Sequence, residues 1–391
     1  MIAIKNISLE GRKADILIEG KRFSRICPAG GLETGERCSQ IIDGSHLAIT
    51  PAFYNTHTHA AMTLVRGYAE GHNLQDWLEN HIWPFEATLT PADIRRGSEI
   101  AVREMVSSGS VFFNDMYFDI EETVDVVAAS GMRAAIGITV MENHSAAVED
   151  AKKHIIEEWH DPTGGRIQLV MAPHSVYTVG PEKLRNCTEF ARNHGLRIHI
   201  HASENRQEVD NCIKDHGLTP IKYLDSLGVL GPDVIMAHCV WASQEEWDLL
   251  AERGVTVAHC PCSNMKLGSG RMDYEAAIRS GCRVTIGTDG ASSNDSLSML
   301  GEMKAAALLA KSCGDAALLH SEEVFKWATA NGAEAFGLDA GQIAEGKLAD
   351  AVLFNLDDIS LQPCHNLISN IVYSADSRAV AHVICDGQLI W

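Results

Sequence analysis

The sequence predicts an α/β protein: a (β/α)8, TIM-like barrel with a small β-sandwich formed from both chain termini. Three observations carry that expectation. Strand-like apolar runs alternate with amphipathic helical stretches through the middle of the chain, the pattern of βα units on a parallel sheet. The runs begin apolar and end in His, Asp, Glu, Asn or Ser, and barrels gather their chemistry at the C-terminal ends of the strands. The two ends of the chain have a different texture, short alternating segments broken by turn signals.

In chain order, residues 1 to about 50 read as a small antiparallel sheet, with turns at EGRKAD and PAGGLETGE. Eight runs follow: LAITPAFYNTH (47–57), SVFFNDM (110–116), RAAIGITVM (133–141), IQLVMAPHS (167–175), LRIHIHASE (196–204), VIMAHCV (234–240), TVAHCPCSN (256–264) and VTIGTDG (284–290). Helical stretches such as ADIRRGSEIAVREMVSSG (92–109) and SQEEWDLLAERG (243–254) lie between them and end in glycine, the usual stop signal. LADAVLFNL (348–356) and AVAHVICDGQLIW (379–391) return to alternation, with an Asp-Gly break. The expected division is 1–50 plus 341–391 for the composite β-sandwich and 51–340 for the barrel. An open doubly wound sheet is the competing architecture, but it wants a Gly-rich phosphate turn after its first strand, and THTHAAMT is not one.

Composition narrows the partners. With 46% hydrophobic and 21% charged residues the chain is that of a folded globular protein. A formal charge of −20 repels a phosphate backbone or an anionic membrane, so no nucleic acid and no membrane partner is expected. No apolar run reaches transmembrane length, and the charged, alternating N-terminus is neither a signal peptide nor an anchor. Eleven cysteines scattered through a chain of 391 residues point to reduced thiols and a cytoplasmic location.

His57 and His59 close the first run. An i, i+2 spacing on a strand puts both imidazoles on one face, which suits a shared metal as well as an ordinary hydrogen-bonded pair. His201 ends the fifth run, Glu204 follows it, and Asp289 ends the eighth. Three ring nitrogens and one carboxylate oxygen, with a place left for water, form a catalytic zinc set; one divalent metal ion, Zn2+ by ligand type, is the expected cofactor. His199 shares a face with His201 one layer deeper and reads as packing. His238 closes the sixth run, where an imidazole can hold the water or polarise a developing oxyanion. His174 closes the fourth run and suits either a substrate contact or a structural hydrogen bond. His259 reads as structural.

The segments PAFYNTHTHAAMTLVRGYAE, HIHASEN, AHCVWAS, HCPCSNMKLGSG and GTDGASSN resemble the amidohydrolase superfamily, in its branch of methylthioadenosine/S-adenosylhomocysteine deaminases and chlorohydrolase-like (ATZ/TRZ) proteins. The resemblance covers essentially the whole chain. It implies metal ligation by His57, His59, His201 and Asp289, Glu204 as proton shuttle, His238 as the water-orienting histidine, Asp289 as acceptor of the water's proton, and a homo-oligomer. The fourth run lacks the lysine whose carbamate bridges two metals in binuclear members, so one metal is expected. In nucleoside-deaminating members a glutamate binds the ribose hydroxyls, and Glu86 in IWPFEATLTP looks like that residue, with a helix-capping acid as the alternative. Trp83 suits either the same pocket or the core.

The resemblance thus implies zinc-dependent hydrolytic deamination of an adenine-type nucleoside: methylthioadenosine, adenosine or 5′-deoxyadenosine. S-adenosylhomocysteine stands behind them, because ITVMENHSAAVEDAKK (138–153) has none of the arginines that hold the amino-acid carboxylate in members that take it; Asn143 and His144 offer neutral contacts instead. Three rivals remain: a deaminase or chlorohydrolase for another heterocycle (guanine, pterin, triazine), a cyclic amidase, which would want the missing lysine, and a non-catalytic scaffold, which would be free to lose the acid and base residues.

Overall fold

A computed structural model describes residues 1–32, 38–143, 154–161, 165–312 and 314–391. Its N-terminal strands are β1 (Ile2–Leu9), β2 (Arg12–Glu19), β3 (Arg22–Pro28), β4 (Gln40–Asp43) and β5 (Leu47–Pro51). The barrel strands are β6 (Phe53–Thr58), β7 (Ser110–Tyr117), β8 (Arg133–Val140), β9 (Ile167–Pro173), β10 (Arg197–Ala202), β11 (Val234–His238), β12 (Thr256–His259) and β13 (Arg283–Ile286). The chain finishes with β14 (Ala351–Asn355), β15 (Val380–Cys385) and β16 (Gln388–Leu389).

Strands β6 to β13 form one 8-stranded sheet in which sequential neighbours pair in parallel. Their side chains are buried on both faces, as expected of barrel strands wrapped by helices. The two ends of the sheet meet at a seam between β6 and β13. There Asp289 N donates to the carbonyl of His57 at 2.9 Å, Thr56 Oγ1 donates to the Ile286 carbonyl at 3.0 Å, and the Asn55 side chain bonds Thr288 on both its amide and its hydroxyl. A Cβ on Gly287 would stand 2.8 Å from His57 Cβ, so only glycine allows the strands to approach this closely.

The other 8-stranded sheet joins both termini in the order β16-β15-β14-β5-β1-β2-β3, with β4 on β1. It is mixed, not purely antiparallel as the alternation suggested, because β1 pairs β4 and β5 in parallel. The β15–β16 turn places Asp386 and Gly387 at φ of 52° and 74°, which is why an Asp-Gly pair stands there. Two apolar runs read differently in three dimensions. LAITPAFYNTH divides at Ala52 into β5, which pairs β14 in the terminal sheet, and β6 in the barrel. In TVAHCPCSN the strand stops at His259, and Pro261 starts a helix, Pro261–Lys266, proline being suited to a first helical turn.

The sheets are joined by a buried ionic cluster. Arg133 donates to Asp350 at 3.1 Å and to Asp386, Tyr54 Oη donates to Asp350 at 2.8 Å, and Asp386 N donates to Asp350 at 2.7 Å. Removing one member of such a buried pair costs about 3–5 kcal/mol, so the cluster fixes the terminal sheet on the barrel's base. Over the opposite end, residues 60–94 cover the mouth: Met62, Leu74, Trp77, Leu78 and Ile82 pack with Tyr117 and Leu267 in an apolar cluster of their own. Among the described residues no helix is long and apolar enough to cross a membrane.

Candidate active site

The strand ends bring together the residues that the sequence pattern singled out. His57 is fully buried, and its ring stands roughly perpendicular to those of His59, His201 and His238. The other three imidazoles are nearly parallel, with His201 stacked against His59 and His238 at 5.4 Å on either side. Asp289 Oδ1 lies 3.3 Å from His57 Nε2 and 3.2 Å from His59 Nε2. Donor atoms of His57, His59 and His201, and again of His57, His238 and Asp289, all fall within 4.8 Å of one another.

The tautomers follow from the second ring nitrogens. A carbonyl can only accept, so Nδ1 of His59, 2.6 Å from the Met116 carbonyl, and Nδ1 of His201, 2.7 Å from the His174 carbonyl, both carry the proton. Their Nε2 lone pairs then face Asp289 and the cavity, the arrangement metal-ligating histidines use. His57 Nδ1 meets His199 Nε2 at 2.8 Å, so the deeper histidine, read from sequence as packing, holds a candidate ligand. The His57 Nε2 atom is buried without a hydrogen-bond partner. It faces the Asp289 carboxylate at 3.3 Å, and two donors about 2.0–2.2 Å from a shared cation at a roughly tetrahedral angle lie close to the separations seen here. The donor set therefore fits a divalent cation.

Burial alone would raise Asp289, but the imidazoles of His57 and His59 outweigh it and hold the carboxyl well below its ordinary range. Burial depresses His57 to about 4 and His201 well below the ordinary value, whereas at His59 burial is outweighed by the Asp289 carboxylate, which raises the ring to about 9; a cation bound there would displace that proton. Glu204 is pushed up by burial. It lies 3.7 Å from His238 Nε2 and accepts from Ser269 Oγ at 3.4 Å.

Sequence reasoning missed several supporting groups. Ser263 Oγ donates to Asp289 Oδ2 at 2.6 Å, and Asn264 Oδ1 accepts from His238 Nδ1 at 2.9 Å; both sit on the helix Pro261–Lys266 that had read as a strand end. Backbone strain marks the same rim. Ser203, His238, Cys239 and Asp289 all have positive φ, a conformation that non-glycine residues hold only where surrounding structure enforces it.

One cavity is lined by His59, His201, Glu204, His238 and Asp289, and equally by Trp83, Glu86 and His174, so the expected metal, acid–base and substrate residues converge. His174 Nδ1 is tied to the Ser175 and Thr178 hydroxyls at 3.2 and 3.0 Å, which fixes its ring at the cavity wall. Glu86 is partly buried and pushed up to about 7 by desolvation, against the pull of the Tyr117 hydroxyl and His59. Asn143 lines a groove that continues outward past Trp83, Phe118 and Met141; His144 lies outside the described residues. His259 bonds Tyr274 Oη at 2.8 Å, a structural role. Elsewhere, His72, Asp76 and His81 form a further half-exposed group on the outer side of the mouth cover.

This arrangement has known counterparts. The amidohydrolase family profile matches residues 48–390. The 5′-deoxyadenosine deaminase of Methanosphaera stadtmanae is 42% identical over 384 residues, covering 97% of this chain and 90% of the relative. The 5-methylthioadenosine/S-adenosylhomocysteine deaminase 1 of Archaeoglobus fulgidus is 42% identical over 397 residues, 100% and 93% of the two chains. Among solved structures, an adenosine deaminase from Xanthomonas campestris with bound zinc superposes with a TM-score of 0.93 at 31% identity, over 99% of this chain and 92% of that one.

Proposed function

The chain belongs to the amidohydrolase family, is a hydrolase of C–N bonds in cyclic amidines, and on that premise we propose that it deaminates the adenine ring of a nucleoside, releasing ammonia. Methylthioadenosine, adenosine and 5′-deoxyadenosine are the substrates proposed first, with S-adenosylhomocysteine behind them. The observation that carries this reading is the convergence of Glu86, a ribose-type carboxylate, with His59, His201 and Asp289 of the ligand group on one cavity.

His57, His59, His201 and Asp289 would hold one cation, zinc by ligand type. When bound it supplies Lewis acidity and draws the pKa of water toward neutrality. The chain's own residues do the rest. His238, its Nδ1 fixed by Asn264, presents Nε2 to hold the attacking water. Asp289 takes one proton from that water as its oxygen bonds the ring carbon bearing the amino group. Glu204, whose pKa burial raises, gives its proton to the adjacent ring nitrogen and so drains the charge that attack creates. The Asp289 proton then leaves with the amine as ammonia, the hydroxyl proton restores Glu204, and the 6-oxo ring keeps the proton on nitrogen.

The test is ammonia release from the zinc-loaded protein with methylthioadenosine, adenosine, 5′-deoxyadenosine, S-adenosylhomocysteine, guanine and a chlorinated triazine side by side. Turnover of the adenosines with the homocysteine compound lagging is the expected result. Turnover of guanine or the triazine alone would leave the family standing and remove the substrate.

A further inference from the structure

The carboxylate of Glu204 is loosely held for a group that must deliver a proton to one atom. Among the described residues its side chain accepts one hydrogen bond, the long one from Ser269 at 3.4 Å, and His238 Nε2 stands 3.7 Å away. Its aim must come from its backbone. That backbone leaves β10 through Ser203, whose φ of 52° is left-handed and costs a non-glycine residue about 1 kcal/mol or more.

What holds the turn is the next helix, Arg206–His216, which Asn205 caps by accepting from Glu208 N at 2.8 Å. A glutamate at the third helical position ordinarily returns to the N–H of the capping residue. Glu208 overreaches that position: Oε1 accepts from Ser203 N at 2.9 Å and Oε2 from Glu204 N at 2.7 Å. Successive amides around a left-handed residue form an anion-binding concavity, and here the chain fills it with its own carboxylate. Glu208 is 3% exposed, and burial raises its pKa to about 7 against the pull of those two amides. A buried acid with both oxygens committed to the two residues that aim Glu204 is more than a helix cap.

We propose that Glu208 is a positioning residue that sets the direction of the Glu204 carboxyl, an inference that rests on reading Glu204 as the proton donor. The test is a double-mutant cycle between Glu208→Gln and Glu204→Gln on the zinc-loaded enzyme. It uses whichever heterocycle the parent protein turns over, with metal content and thermal midpoint measured alongside. Glu208→Gln keeps one acceptor and turns an amide donor toward the other N–H. Its expected effect is a fall in kcat of about 10- to 100-fold with KM changed little, the signature of misaligned catalysis, and with metal retained. In the Glu204→Gln background the same substitution changes kcat by less than about twofold, since the aim of a group that cannot donate no longer matters.

Equal losses in both backgrounds, or parental kcat in Glu208→Gln, overturn the proposal. Full turnover by Glu204→Gln alone removes the proton-donor reading and the proposal with it, whereas an impaired Glu204→Gln beside an unimpaired Glu208→Gln removes only the positioning. Should Glu208→Gln fail to fold, Glu208→Asp keeps the charge and shortens the reach, and the same non-additive loss is expected of it.

Discussion

Two histidine–aspartate groups in this molecule have similar ingredients and different prospects. At the barrel mouth His57, His59, His201 and Asp289 are buried or nearly so, and each turns one atom toward the group while another is tied elsewhere: to His199, to the Met116 and His174 carbonyls, to Ser263. On the mouth cover His72, Asp76 and His81 also come within metal-ligating distance, because a π-turn, Leu78–Ile82, follows the short helix Leu74–Trp77. There the donors are spent on each other. His72 Nδ1 bonds Asp76 Oδ2 at 2.5 Å, Asn80 takes the other oxygen at 2.8 Å, and the His72 and Asp76 side chains are 31% and 42% exposed. Proximity of the right residue types is common; what distinguishes the barrel group is that it is buried and that its inner atoms are braced by residues outside the group.

Substitutions can break that comparison. Asp289→Asn should have the largest effect, a fall in kcat/KM of at least about 1000-fold with bound metal reduced, since the Lewis acid is worth several kcal/mol; parental turnover and metal content would overturn the ligand assignment. Ser263→Ala leaves the donors in place and removes a brace, so metal affinity measured by chelator competition should drop about 10- to 100-fold. Unchanged affinity would show that bracing is not what separates the two groups.

A smaller effect concerns Glu86. Its pKa is raised to about 7, so the carboxylate form proposed to accept ribose hydroxyls is present above that pH and is lost as pH falls through it. KM for a nucleoside should therefore rise roughly tenfold from about pH 8 to about pH 6. Glu86→Gln should raise KM and flatten that dependence; a slope that persists in the variant would assign it to another group. The smallest effect is expected at the second cluster: His81→Ala should leave metal stoichiometry and turnover unchanged. Loss of one bound metal per chain in that variant would show that the half-exposed group binds after all.

The strand-end residues were legible in sequence because a barrel strand writes its own signal, a short apolar run with its polar residue at the C-terminal end, and that signal is local. The braces were not. Ser263 and Asn264 act on partners 26 residues away in either direction, from a helix hidden in an apolar run. Glu208 looks like any surface glutamate one turn into a helix. The division at Ala52 did have a mark, Pro51 at the end of β5, but β5 and β6 are both largely buried and read together as one apolar run.

The seam between β6 and β13 carries one more consequence. Asp289 hydrogen-bonds the carbonyl of His57, so the first and last staves of the barrel meet where the chemistry is assembled. Half the site emerges early in synthesis and waits for a residue more than two hundred positions downstream. No nascent or truncated chain that stops before Asp289 holds the full donor set.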